Sequence, residues 1–300
     1  MNHAIGIDLG GTNVKALAVT ARGRVLAETV MPTGNTARPG WEKSVRRAVG
    51  ELRSKTGQAP QCLGVAAPGI PATDQRSIAF MPGRLVGLEG LVWQEFFESP
   101  QPVPVLNDAQ AALLGEVWRG AARGTRHAFL LTLGTGVGGA AMVDGHLLRG
   151  HLGRAGHLGH ISLDPDGARD VANTPGSLED AIGDCTLAER SGGGFSSTQA
   201  LVAAVRLGDR AAQRVWRKSL EALAAGIASL VNVLDPEVVV LGGGIAQAGP
   251  TLFRPLSSLM SRFEWQPGGA KVRIVPARLG DRAGAFGAAW NALHLGETPS

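Results

Sequence analysis

Apolar and polar positions follow one another in the same order twice along this chain. His3 to Leu9 is an apolar run ending in Gly10-Gly11-Thr12; Val14 to Val19 is again β-prone, and Arg22-Gly23-Arg24 reads as a polar turn, which predicts a hairpin. The series returns at Phe129 to Leu133, ending in Gly134-Thr135-Gly136, with Gly138 to Val143 as the next strand and Asp144-Gly145 as its turn. Self-similarity of this kind predicts two copies of one α/β unit facing each other across a ligand-binding cleft.

Between the copies, Trp41 to Lys55 has helical periodicity, Cys62 to Ala67 reads as a buried strand closed by Pro68-Gly69, and Val103 to Leu106 as a short strand. Asn107-Asp108 follows, with Asp108 placed as the N-cap of a helix over Ala109 to Arg119. In the second half, Ala211 to Leu234 reads as a long amphipathic helix, Val238 to Leu241 as a buried strand, and Arg282 to Leu293 as a last helix rich in Ala and Gly. Arg206 to Arg217 reads as a solvated helix face, and Trp118, Trp216 and Trp290 as core or interface positions. The boundary between units is expected near residues 115 to 125.

Composition sharpens this picture at the glycines. Three hundred residues exceed one comfortable core. Hydrophobic (44%) and charged (18%) fractions are ordinary, but 43 glycines are about twice the usual share. They gather at Gly10-Gly11, Gly134 to Gly139, Gly192 to Gly194 and Gly242 to Gly244, where backbone can approach a phosphate closely. The net charge of +4 comes without a Lys/Arg block or helix-turn-helix pattern, which argues against nucleic acid as a partner. Cys62 and Cys185 are too few for a disulfide framework or a thiolate metal site, and no leader or run of about 18 apolar residues is apparent. A cytoplasmic protein, neither secreted nor membrane-spanning, is expected.

The loop Asp8-Leu9-Gly10-Gly11-Thr12-Asn13 offers unobstructed N–H groups and a Thr12 hydroxyl to phosphate oxygens, and Asp8 a carboxylate for Mg²⁺ through water. Standing alone, it is also what a tight hairpin looks like; a second such loop, at Thr135 and Gly136, makes the pair a polyphosphate holder. Neither is a Walker A motif, since no Gly-Lys-Ser/Thr follows. Asp108, preceded by Asn107, supplies a base for an acceptor hydroxyl and a polar neighbour to orient it. His157 and His160 fit sugar hydroxyls better than a metal, because no ligand cluster follows them. Gly243 and Gly244 suit an adenosine lying against backbone, with Ala283, Gly284 and Ala285 leaving room for its base.

In this order the segments resemble the ROK family of sugar kinases and transcriptional repressors, from about Ile5 to Ala292. Ile5 to Thr12 resembles its first phosphate motif, Ala67-Pro68-Gly69 its sugar-side turn, Met81-Pro82-Gly83 its next loop, Leu106-Asn107-Asp108-Ala109 its catalytic strand end, Thr132 to Gly139 its second phosphate motif and Val240 to Gly244 its adenosine motif. The resemblance implies a two-lobed actin-like (ribonuclease H-like) α/β fold, with residues 1–118 as a smaller lobe joined by the last helix, 282–293, and 119–300 as a larger one. It implies an ATP-dependent, glucokinase-like kinase acting on the 6-hydroxyl of a hexose or N-acetylhexosamine. Asp108 is then the general base; Gly69, Asn107, His157, His160 and Glu179 bind the sugar; Asp8, Gly10, Gly11, Thr12, Asn13, Lys15, Thr135, Gly136, Gly243 and Gly244 bind Mg-ATP; and the chain is a homodimer.

Two departures stand out. His157 replaces the family's usual Glu in His157-Leu158-Gly159-His160, which leaves the identity of the sugar open. Asp170, Ala172 and Ser177 stand at the three Cys positions of the family's zinc loop, while Gly176, Leu178 and Glu179 keep its frame, so His160 has lost its zinc partners and no structural zinc is expected. Alternatives within the same family are a sugar-responsive regulator, disfavoured because only Met1 to Ala4 precede the first motif, a silent sugar-binding protein, and a kinase that uses polyphosphate as donor.

Overall fold

The two glycine-ended hairpins are realised as the hearts of two sheets. The computed structural model describes residues 2–34, 40–81, 83 and 85–295; Pro82 of the Met81-Pro82-Gly83 match lies outside them. In chain order the elements are β1 (His3–Leu9), β2 (Asn13–Thr20), β3 (Val25–Pro32), α1 (Gly40–Thr56), β4 (Cys62–Ala67), β5 (Ile70–Pro71), β6 (Ile78–Phe80), α2 (Trp93–Phe96), β7 (Val105–Asn107) and α3 (Asp108–Arg119). They continue with β8 (Ala128–Leu133), β9 (Val137–Val143), β10 (His146–Leu147), α4 (Leu178–Ile182), α5 (Leu187–Arg190), α6 (Thr198–Arg206), α7 (Arg210–Leu234), β11 (Val238–Gly242), α8 (Pro250–Phe263), β12 (Arg273–Pro276) and α9 (Ala283–Leu293).

The first sheet runs β3-β2-β1-β4-β7 and the second β10-β9-β8-β11-β12. Each opens with an antiparallel hairpin and then adds two parallel strands on the far side of its first strand. The two sheets therefore share one topology. The central strands are buried on both faces and read as continuous apolar runs, as parallel strands do.

The chain divides into two compact units, Met1–Gly124 with Leu147–Ala155 and Arg278–Ser300, and Thr125–His146 with Gly156–Ala277. The first unit takes in the last helix and, beyond it, Leu147–Ala155, and it is the longer of the two by residue count. Three contacts explain it. Glu116, fully buried near the end of α3, accepts N–H bonds from Ala121 at 2.6 Å, Arg278 at 2.9 Å and Leu279 at 2.8 Å, tying both the end of α3 and the C-terminal segment to the first unit. Leu147 packs on the cluster of Ala66, Leu106, Ala111 and Leu114. Helix α9 lies against β1, β4 and α3 so closely that a Cβ on Gly6, Gly64, Gly115 or Gly287 would strike a carbonyl of the element opposite. The Ala- and Gly-rich face is a packing surface: Ala283, Gly284 and Ala285 are buried in the first unit's interior rather than making room for a base.

On the other face of the first sheet, Trp41 of α1, Trp93 and Phe96 of α2 and the strand side chains form the main core. In the second unit, Leu220, Leu223, Ala224 and Ile227 of α7 are buried together with the inward residues of β8, β9 and β11. Arg206 to Arg217 is not one helix face. Arg206 ends α6 and its guanidinium donates to the Ala248 carbonyl and Thr251 Oγ1, while Asp209 caps a new helix by accepting from Ala212 N. Trp216 is buried, and its indole N–H donates to the Thr251 carbonyl at 3.0 Å, the acceptor left open by Pro255 four residues on. No helix among the described residues is long and apolar enough to cross a membrane.

Candidate functional site

Three parallel strands of the first unit end side by side. Asp8 sits opposite Ala66 and Ala67 opposite Asn107, so the C-terminal ends of β1, β4 and β7 bring the first glycine loop, Gly69, Asn107 and Asp108 to one edge of the sheet, where open α/β sheets take ligands. Gly10 N donates to Asn13 O at 3.0 Å, and Thr33, buried beneath, donates its hydroxyl to Gly10 O and its N–H to Thr12 O. These bonds fix the loop and leave Gly11 and Thr12 exposed.

Asp8 is packed against Gly284, where a Cβ would come within 2.7 Å of its carboxylate. Burial, reinforced by the negative charge of Asp108, raises its pKa from 3.8 to about 7, against the opposing pull of Lys15. Lys15 faces Asp8 across the β1–β2 pair, and its Nζ lies 3.3 Å from the exposed carboxylate of Asp281.

Gly69 has φ 108°, and a Cβ there would lie 2.7 Å from both Ile78 and Met81, so the turn admits glycine alone. Its carbonyl accepts from Asn107 Nδ2 at 2.9 Å. Asn107, not Asp108, is the N-cap of α3: its Oδ1 accepts from Ala109 N, while Gln110 Oε1 accepts from Asn107 N, a reciprocal capping box. Asp108 is thereby the first helical residue and stands exposed, one carboxylate oxygen accepting from Ala109 N. The Asn-x-x-Gln spacing of Asn107 and Gln110 carries this signal in the sequence, whereas no local pattern marks Thr33.

In the second unit the parallel neighbours β8 and β11 end together, Gly242 opposite Thr132. Gly134 N donates to Gly136 O, and the outward carbonyls of Gly134 and Thr135 accept from Asp184 N and Cys185 N, so the loop is braced from behind with Thr135 exposed. Gly243 has φ 83° and packs on the Leu133 carbonyl with no room for a Cβ. By contrast Gly11, Gly134 and Gly244 have neither a positive φ nor any atom within 4 Å of where a Cβ would be. They fall in the loops at Gly10-Gly11, Gly134 to Gly139 and Gly242 to Gly244, where the chain's own packing leaves open space in front of the backbone.

Glu179, in the first turn of α4, accepts from Val137 N at 2.9 Å through Oε2, and Gly136 has no space for a side chain because of that carboxylate. His157 is half-buried at the head of the short turn Leu158–His160. His160 Nδ1 lies 2.7 Å from Asp170 Oδ2, and Asp170 Oδ1 accepts from Ala172 N and Thr174 N, both at 2.9 Å. Burial alone would raise the pKa of Asp170; the bonds from His160, Thr174, Ser177 and Ala172 together hold it below the ordinary value.

His160, Asp170 and Glu179 place one ligand-type atom each within 4.8 Å of one another. Such a trio is of the type that could hold a metal ion, so these residues supply the nearby ligand types that the sequence around His157 and His160 does not show. Of the other two positions that replace cysteines of the zinc loop, Ala172 has no donor atom in its side chain, and Ser177 Oγ accepts from Asp180 N as the cap of α4. The site residues thus fall into two groups: Asp8, Gly10 to Asn13, Lys15, Gly69, Asn107 and Asp108 in the first unit, and Thr135, Gly136, His157, His160, Glu179, Gly243 and Gly244 in the second.

The ROK family matches residues 4–294. A glucokinase of Thermotoga maritima is 31% identical over 95% of each chain. The crystal structure of a ROK hexokinase from Thermus thermophilus is 31% identical, covers 97% of this chain and 98% of its own, and superposes with a TM-score of 0.86. A ROK family glucokinase from Streptomyces griseus, crystallised with glucose and AMPPNP, is 26% identical over 98% of this chain and 100% of its own, with a TM-score of 0.79. Two copies of one sheet topology with glycine loops at matching strand ends, together with a family match over nearly the full length, place the fold among the actin-like ATPases, and the chain belongs to the ROK family.

Proposed function

We propose that this ROK-family sugar kinase transfers the γ-phosphoryl group of ATP to a hydroxyl, the 6-hydroxyl of a hexose or N-acetylhexosamine, with Asp108 as general base. Asp108 supports the reading most directly. It is an exposed carboxylate held at the head of α3 by a capping box, beside an Asn107 whose amide is pinned to Gly69. A base must reach substrate yet not wander, and this arrangement meets both needs.

The acceptor oxygen forms its bond to phosphorus as the bond from phosphorus to the β,γ-bridging oxygen breaks. The hydroxyl proton passes to Asp108, and ADP leaves. Asn107, with Gly69, His157, His160 and Glu179, orients the sugar. The N–H groups of the two glycine loops, with Thr12 and Thr135, face the donor's phosphates, and Gly243 and Gly244 lie by its adenosine. Asp8, Asn13 and Lys15 complete the donor side. The carboxylate of Asp8 suits a hydrated Mg²⁺, which when bound screens the phosphate charge. The loop from His160 to Ser177 is ordered by the His160–Asp170 pair in place of zinc. The protein acts in the cytoplasm as a homodimer.

The test is ADP release with Mg-ATP across glucose, mannose, fructose, allose, N-acetylglucosamine and N-acetylmannosamine, repeated with polyphosphate as donor. A signal for one sugar that disappears in Asp108→Asn supports the reading and reports what His157 selects. Turnover that survives the substitution removes Asp108 from its role.

A further inference from the structure

A cavity lies within the first unit, walled by the same elements that place Asp108. It has a volume of about 140 Å³, well above the roughly 10–15 Å³ that one water needs, and is lined by Pro71, Thr73, Gln75, Leu106, Gln110 and Arg149, among others. Pro71 comes directly after the Gly69-Ile70 turn, and Leu106 and Gln110 bracket Asn107 and Asp108 in sequence.

Arg149 is half-buried and makes no ion pair or hydrogen bond through its side chain; its Nε is fully enclosed without a partner. Burial lowers the guanidinium's pKa, the mark of a charge left without compensation. The neutral groups around it are donors. Gln110 commits its Oε1 to Asn107 N, and Gln75 commits its Oε1 to Asn291 Nδ2 at 3.1 Å, so the remaining function of each amide is its NH₂ group. Thr73 adds a hydroxyl, and no carboxylate lines the cavity. Gln75 is also one of few non-glycine residues with a left-handed backbone, φ 59°, held there by a turn to Ala72 O and by Val105 N on its own carbonyl. Strain of this kind persists where the surroundings impose it, typically at binding sites.

We infer that this cavity is a subsite for a small oxyanion, a phosphate or carboxylate, with Arg149 supplying the charge and Gln75, Gln110 and Thr73 the neutral donors. The oxyanion is either a free ion or a substituent of the acceptor sugar; in the second case the inference rests on the kinase reading and narrows its substrate to anionic sugars.

Calorimetric titration of the full chain at fixed ionic strength tests this without turnover, using inorganic phosphate, glucose and glucose 1-phosphate as probes. Phosphate binding that weakens roughly tenfold or more in Arg149→Met, and less in Arg149→Lys, supports the subsite. Thr73→Glu, at an exposed position, should weaken it independently through charge repulsion, which guards against misfolding of the first variant. Glucose 1-phosphate binding more tightly than either phosphate or glucose, with the gain lost in Arg149→Met, assigns the oxyanion to the acceptor; phosphate binding without such a gain assigns a free ion. Neither anion binding, or both binding equally to wild type and Arg149→Met, overturns the inference. A chain that binds phosphate through Arg149 yet releases no ADP with any sugar loses the kinase reading and keeps the subsite.

Discussion

Asp108 and Asp8 are the two carboxylates at the strand ends of the first unit, and their settings differ. Asp108 is exposed, and in the proposed role of general base its replacement in Asp108→Asn should lower kcat by about 10² to 10⁴ while leaving sugar affinity within a few-fold, read by steady-state kinetics beside equilibrium sugar binding. Asp8 is packed away and holds its proton to about pH 7, where the unfolded chain releases it near 3.8. The folded state therefore binds the extra proton between those values, and without ligand this group subtracts stability as pH rises through that window, by at most about 1.4 kcal/mol per pH unit. Asp8→Asn should melt above wild type at pH 8, with the gap closing by pH 4. Equal melting temperatures at both pH values would show that the carboxyl titrates normally. Both residues stand out in the sequence, because each lies at a strand end, Asp8 two residues before Gly10 and Asp108 directly after Asn107. The partner of His160 does not stand out in this way: Asp170 is ten residues away in a loop without periodicity, and only the bonds that its carboxylate accepts reveal what it does.

Among the elements, those with a strong period were readable and the short ones were not. The strands His3–Leu9 and Cys62–Ala67 and the helix ending at Leu234 match their apolar patterns. β5, β6, α2 and the turns around α4 and α5 are too short to show a period, and their form follows from tertiary contacts. Helix α3 shows how much rests on single polar groups inside an element. Glu116→Ala would leave the N–H groups of Arg278 and Leu279 without their acceptor, a loss of about 2–4 kcal/mol by chemical denaturation. In the second unit, the loop between His160 and Ser177 should be indifferent to chelation. EDTA should leave the melting temperature unchanged, while Asp170→Ala should destabilise by about 1–3 kcal/mol. A melting temperature that falls with EDTA would mean that a bound ion, not the His–Asp pair, orders the loop.

At the scale of the molecule, repetition is visible in the pattern of the sequence, and the return of the last helix comes only from the family resemblance. Matching glycine loops point to two copies, but no local pattern shows that residues 147–155 belong to the first unit, since that depends on side chains meeting from distant parts of the chain. Truncation after Ala277 leaves every candidate site residue in place yet removes α9, whose backbone fills the space against Gly6, Gly64 and Gly115. The truncated protein should be largely insoluble or lose its cooperative thermal transition, measured by circular dichroism; a soluble, cooperatively melting product would show that α9 is dispensable.

The routing of α9 also sets an order in time. Synthesis runs from the N-terminus at about 5–20 residues per second, and domains generally complete as the chain emerges. Here the strands that carry Asp8 and Asp108 leave the ribosome first but lack the helix that closes their interior until the last residues appear, whereas the chain through Ala277 already holds the whole second unit. The half made first is the half finished last, and the nascent chain must shield an open apolar sheet face while the rest is translated.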